Sequence, residues 1–158
     1  MPHWSDDAKK AEDREREGSA LAEEERRRED RIIRAALPEF WQRLIECLRE
    51  DADAIQKAFP NDLNCKCRVT VSGATLTVQR MTHPYRTVIA TCNADAHRIH
   101  LVMSPDLDTM GRPEHCTRQE VYINVLGDDL QLFWDRHQFQ TPTDVSRKFF
   151  SFLCEKSF

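Results

Sequence analysis

Asn64-Cys65-Lys66-Cys67-Arg68-Val69-Thr70-Val71-Ser72-Gly73-Ala74-Thr75-Leu76-Thr77-Val78-Gln79-Arg80 alternates apolar and polar side chains on either side of one glycine. A period of two is that of a strand buried on one face only. Ser72-Gly73 sits where a two-residue hairpin turn would, since glycine takes the positive φ that such turns demand. That turn sets Val71 across from Ala74, Val69 from Leu76, Cys67 from Val78 and Cys65 from Arg80, and only the last pair spoils an apolar face.

Two more hairpins repeat the pattern. A turn at Asn93-Ala94-Asp95 pairs Cys92 with His97, Ala90 with Ile99 and Val88 with Leu101; a turn at Gly127-Asp128 pairs Val125 with Leu130, Ile123 with Leu132 and Val121 with Trp134. A one-residue slip would turn each buried set to solvent, so agreement among the three hairpins predicts six antiparallel strands between Cys65 and Trp134.

Such a sheet needs a cover, and the flanking segments supply it. Pro38 is placed to open a helix, with Glu39 near the positive end of its dipole. Phe40, Leu44, Cys47, Leu48, Ala52, Ile55 and Phe59 recur at steps of three to four, widened by Leu37, Trp41 and Ile45, up to the stop at Pro60-Asn61-Asp62. Thr141-Pro142-Thr143-Asp144 reads as an N-cap, a proline at the first helical position and an acid at the third. Val145, Phe149, Phe150, Phe152 and Leu153 follow as a core stripe.

Ahead of these, residues 5–36 form a charged arm. Asp6/Lys10, Glu12/Arg16, Glu23/Arg27 and Glu24/Arg28 are acid-before-base pairs four apart, which support a helix by a few tenths of a kcal/mol each. Ala8, Ala11, Ala20, Leu21 and Ala22 make no heptad series, and Gly18-Ser19 weakens the middle. The expected fold is therefore α+β: a six-stranded antiparallel sheet of three hairpins, two helices packed on one face and a long charged N-terminal helical arm. Residues 1–36 are read as the arm and 37–158 as the α+β domain.

Charged residues make up 32% of the 158, and a formal net charge of -4 argues against a protein that coats nucleic acid by charge alone. No apolar run approaches the ~20 residues that span a bilayer. Met-Pro-His-Trp-Ser-Asp-Asp lacks a basic segment followed by an apolar one, so the compartment expected is the cytosol. Six cysteines are even in number, yet Cys47, Cys65, Cys67 and Cys92 fall on apolar faces, where a thiol in a reducing compartment behaves as a small hydrophobe.

Residues 104–118 make a connection longer than compact domains usually carry. It holds Asp106, Asp108, Arg112, His115 and Cys116, the candidates for a thiol or zinc-dependent reaction. Asp106-Leu107-Asp108-Thr109-Met110-Gly111 starts like a calcium loop but lacks the third acid and the terminal glutamate. Zinc-ligand types are present at Cys65, Cys67, Cys92, His97, His100, His115 and Cys116, but without a Cys-x2-Cys spacing and on diverging faces. No phosphate loop, nucleophile elbow or His-Glu-x-x-His occurs. No cofactor, metal or catalytic residue is assigned, and an enzyme is the less favoured reading.

Strand parity also defines an outer face carrying Lys66, Arg68, Thr87, Ile89, Arg98, His100, Val102, Tyr122, Leu126 and Phe133. Tyr122 lies across from Phe133, and with Ile89, Val102 and Leu126 nearby the face reads as an apolar patch of the kind that marks protein contacts. The function expected is a small interaction or adaptor module that uses this face and the arm to bind another protein or a second copy of itself. The alternative is a single-stranded nucleic-acid binder that stacks bases on Tyr122 and Phe133 while Lys66, Arg68, Arg98 and His100 meet phosphates.

Overall fold

The computed structural model describes residues 4–83, 85–105, 116–139 and 141–158, with Phe139 described through its backbone alone. Its elements run in the order α1 (Trp4–Ala58), a 3-10 turn (Leu63–Cys65), β1 (Cys67–Ser72), β2 (Thr75–Arg80), β3 (Thr87–Asn93), β4 (Arg98–Ser104), β5 (Thr117–Leu126), β6 (Asp129–Trp134), β7 (His137–Phe139) and α2 (Pro142–Cys154). The sheet is an antiparallel meander in which each strand pairs with the next, from β1 to β7. The α+β architecture with two helices and an antiparallel sheet matches the expectation, but among the described residues the strands number seven rather than six.

The unexpected strand is short and carries no alternating aliphatics. Its turn is made by Asp135 and Arg136, both at positive φ (51° and 63°), so the glycine or asparagine signal of a tight hairpin is missing. The closing pair Trp134 with His137 is nonetheless formed. Pairing of β6 with β7 closes a turn whose two exposed non-glycine residues sit in a costly backbone region.

The hairpin at Gly127 has the expected register, with Val125 opposite Leu130 and Ile123 opposite Leu132. The first two hairpins are displaced by two residues. Val71 pairs with Leu76 and Val69 with Val78, and Ala90 pairs with Leu101 rather than Ile99. The turn at residue 73 explains the first shift. Gly73 stands at φ 59° as the first central residue, followed by Ala74, whereas a Ser72-Gly73 turn would have put positive φ on serine. A displacement by two keeps parity, so the residues that remain in these strands stay on the face expected of them. In the second hairpin Asn93 Oδ1 accepts from Ala96 N at 3.0 Å and fixes a four-residue loop that ends at His97, φ 50°. His97 thus leaves the strand and no longer faces Cys92. Cys65 leaves β1 too: it closes the 3-10 turn capped by Asp62.

A single helix of 55 residues replaces the expected break at Pro38. Proline removes one backbone donor and normally costs about 3 kcal/mol inside a helix. Here Ile33 and Leu37 on one side of it and Leu44 and Leu48 on the other are all buried in the same core, so packing on both flanks keeps the axis continuous. Each such side chain contributes roughly 1.5–3 kcal/mol. Ile33, only 1% exposed, lies within the segment read as polar arm.

α1 packs on β1, β5 and β6, α2 on β2, β3 and β7, and the two helices pack on each other. Between them lie Leu76, Val78, Val88, Ala90, Ile99, Leu101, Val121, Ile123, Leu132 and Trp134, the inner-face residues of β2 to β6. Trp134 meets Phe149 edge-on at 5.5 Å. Ser146, fully buried, donates to Asp51 Oδ2 at 2.6 Å and ties α2 to α1. Thr141 caps α2 as expected, its hydroxyl accepting from Asp144 N at 3.3 Å.

Arg80, the residue that spoils the apolar face, is fully buried. Its guanidinium donates to the Leu153 carbonyl at 3.2 Å and to Glu155 at 3.0 Å, while Arg86 donates to the Phe152 carbonyl at 2.9 Å. Two cations therefore answer the exposed carbonyls and negative end of α2.

Candidate functional site: the open sheet face

Both helices occupy one side of the sheet, and among the described residues no helix lies on the other. Parity delivers Arg98, Tyr122 and Phe133 to one row across β4, β5 and β6, since Arg98 pairs with Tyr122 and Tyr122 with Phe133. Tyr122 is 48% exposed, and the Arg98 guanidinium carbon stands 5.1 Å from its ring centroid. Phe133 beside it is half-buried. A cation over an aromatic ring keeps the ring's apolar edge presented while screening its face.

Ile89 and Val102 form a second apolar pair, directly opposed on β3 and β4 and half-buried. Val102 is four residues along the strand from Arg98, or about 13 Å. The row between them is polar: His100 Nδ1 lies 2.8 Å from Glu120 Oε1. Four of the five residues expected to form one patch are thus arranged as two separate pairs, with the His100–Glu120 hydrogen bond between them. Leu126, 64% exposed, belongs to neither. It ends β5 and lines a cleft of about 520 Å³ with Phe40 and Arg43 of α1.

The basic candidates do not converge. Lys66 precedes β1, and Arg68 on it lies in the row of Gln79, Thr87 and Ser104, three strands across and six residues along from Arg98, or about 25 Å away. Thr87 departs from the outer-face reading, being buried between Gln79 and Ser104 of the flanking strands. Arg118 and Glu120 join the face and were not singled out from the sequence, although the parity of Tyr122 carried back along β5 reaches them.

Asp106, Asp108, Arg112 and His115 lie outside the described residues. Cys116 is half-buried with its Sγ 3.0 Å from Ser104 Oγ. The six cysteines are free thiols. Cys154 of α2 hydrogen-bonds with Cys65 and Cys67; burial pushes the Cys65 thiol up to about 12, and the hydrogen bond with Cys67, then burial, raises Cys154, so both stay protonated at neutral pH. Among the described residues no group of three or more His, Cys, Asp or Glu is placed to hold a metal ion. No described helix is long and apolar enough to cross a membrane.

The base of the arm is bound to the hairpin tips. Arg28 donates to the Gly127 carbonyl at 2.8 Å and to Asp128 at 3.0 Å, Arg34 reaches Asp95 at 2.8 Å, and His97 Nε2 is 3.0 Å from Asp30. The Arg34 guanidinium, then the His97 ring, hold Asp30 below the usual carboxylate range. Beyond Arg28 the helix runs on, and every residue from Trp4 to Ala22 is exposed. At 1.5 Å per residue the stretch before Arg28 is about 36 Å long. Among the described residues an antiparallel meander, covered by helices on one face, is thus joined to a polar helix. Searches against protein-family models, curated proteins and solved structures find no match to this chain.

Proposed function

We propose that the chain is a protein-interaction module whose partner docks on the outer sheet face around Tyr122 and Phe133, with the arm as a second contact element. The observation that carries this reading is the exposed Tyr122, held beside Phe133 on strands whose opposite side is fully packed. An aromatic pair on a rigid sheet costs little entropy to bury, and such anchors dominate interface energies. Arg98 above the ring and the His100–Glu120 pair supply the polar rim. A protein partner suits the face better than a nucleic-acid strand, because Glu120 stands among the cations and Lys66 and Arg68 are far from the aromatic row.

The test is a Tyr122→Ala, Phe133→Ala double variant. Both side chains lie on the outer side, so the melting transition should remain cooperative. Affinity for proteins captured and cross-linked by the immobilised wild-type chain is expected to drop by 30-fold or more, the roughly 2 kcal/mol of a hot spot. A folded variant that retains every wild-type partner at full affinity would sink the proposal.

A further inference from the structure

Charges along the arm are ordered as a palindrome of opposite sign. About a centre between Ser19 and Ala20, Lys9 mirrors Asp30, Glu12 mirrors Arg27, Asp13 mirrors Arg26 and Arg16 mirrors Glu23; only Glu15 with Glu24 is like-charged. Residues 9, 12, 16, 20, 23, 27 and 30 follow at steps of three and four, so they share one face of α1. Glu15 and Glu24 sit a quarter turn to either side of it. A self-complementary sequence of this kind matches an antiparallel copy of itself and has no such match in a parallel one.

The same face borders an open groove of about 1010 Å³, walled by Glu23, Arg27, Asp30 and Arg34 of the arm and by Asp95 and His97 at the β3–β4 tip. The segment that mirrors Glu23–Arg34 is Ser5–Arg16, which is exposed throughout. Within one arm the ion pairs Arg16–Glu12 and Arg27–Glu23 lie open to solvent, where such pairs contribute little.

We propose that a second copy of this chain lays its arm antiparallel in this groove, about a two-fold axis at Ser19–Ala20. Small side chains at the axis let the helices approach closely. Glu12 and Arg16 then meet the partner's Arg27 and the partner's Glu23, and symmetry makes every contact twice. Networks of this kind hold where isolated surface pairs do not. Without an apolar heptad core the pairing is reversible and screened by salt. The inference deepens the reading of the arm as a contact element and is independent of the sheet face.

Solution mass of the full chain tests it. The wild type is expected to be a dimer at about 0.05 M salt and a monomer at about 0.5 M, where the screening length is about threefold shorter. An acidic arm (Arg26→Glu, Arg27→Glu) and a basic arm (Glu12→Lys, Asp13→Lys) should each be monomeric at low salt. Mixed in equal amounts they should restore the dimer mass as a 1:1 pair, which misfolding cannot imitate. Tyr122→Ala with Phe133→Ala should leave the dimer intact, so loss of the sheet-face reading and loss of this one are told apart. A monomeric wild type at low salt, a dimer that both arm variants keep, or a mixture that stays monomeric would each overturn the proposal.

Discussion

Arg80 shows how one residue that violates a pattern organises its surroundings. Its side chain is fully buried, yet it spans from the sheet to the end of α2, where it satisfies the Leu153 carbonyl and pairs with Glu155. Arg80→Ala would remove those donors, orphan a buried carbonyl and leave a cavity, a loss of about 3 kcal/mol in denaturant unfolding. Arg80→Met, which keeps the stem and drops the donors, should lose less, about 1–2 kcal/mol. Equal stability of both variants and the wild type would mean that the guanidinium does not hold α2. The alternation flagged Arg80 as an exception but could not name its partner, because Glu155 is 75 positions away and meets it only through packing.

At the scale of elements, α1 shows competition between a local signal and a tertiary one. Pro38 followed by Glu39 has the chemistry of a helix start, and the residues before it lack a visible stripe. What the sequence concealed is that Ile33 carries the stripe read through Leu37, Leu44 and Leu48 back across the proline into the arm. Their burial on one sheet outweighs the missing hydrogen bond. Pro38→Ala restores that donor inside a continuous helix, and a gain of about 1–2 kcal/mol is expected, less than the full helix propensity difference because the unfolded chain becomes more flexible. The denaturation midpoint checks it, and a drop would indicate that a helix end at residue 37 is favoured in solution. The three main hairpins were legible because each carries a run of alternating aliphatics; β7 was not, because it has no such run and its turn sets Asp135 and Arg136, rather than glycine or asparagine, at positive φ.

For the whole molecule, carboxylates that meet residues of distant segments act as ties. Asp30 is held low first by Arg34, Asp62 by Lys156 and Glu155 by Arg80. A carboxylate whose folded pKa lies below its unfolded value contributes stability that is fully present above the unfolded pKa and is lost as pH falls through the folded one. Thermal midpoints should therefore hold near neutrality and fall below about pH 4.5, where unfolded carboxylates begin to bind protons. Asp30→Asn with Glu155→Gln should flatten that decline as well as lower the neutral-pH midpoint; an unchanged acid limb would place the acid sensitivity elsewhere. These ties bind the arm base and the α2 end to the rest of the fold. The candidate face was readable as far as parity could carry it, since Tyr122 across from Phe133 is a matter of register. That His100 and Glu120 divide it from Ile89 and Val102 was not, because it depends on which strand follows β4 in the sheet.

Faces, by contrast with partners, come from sequence alone here. Side-chain period is a property of the local chain, so the division into an inner aliphatic and an outer polar side survives a two-residue shift in register, and the charge palindrome of the arm needs no coordinates to be seen. Only the folded chain decided that α1 is continuous through Pro38, that a seventh strand exists, and that Arg80 is a buried strut rather than a flaw. Each of those outcomes balances a local cost, in a lost hydrogen bond, a positive φ or a desolvated charge, against contacts made by residues distant in sequence, and that balance exists only once the layers are packed.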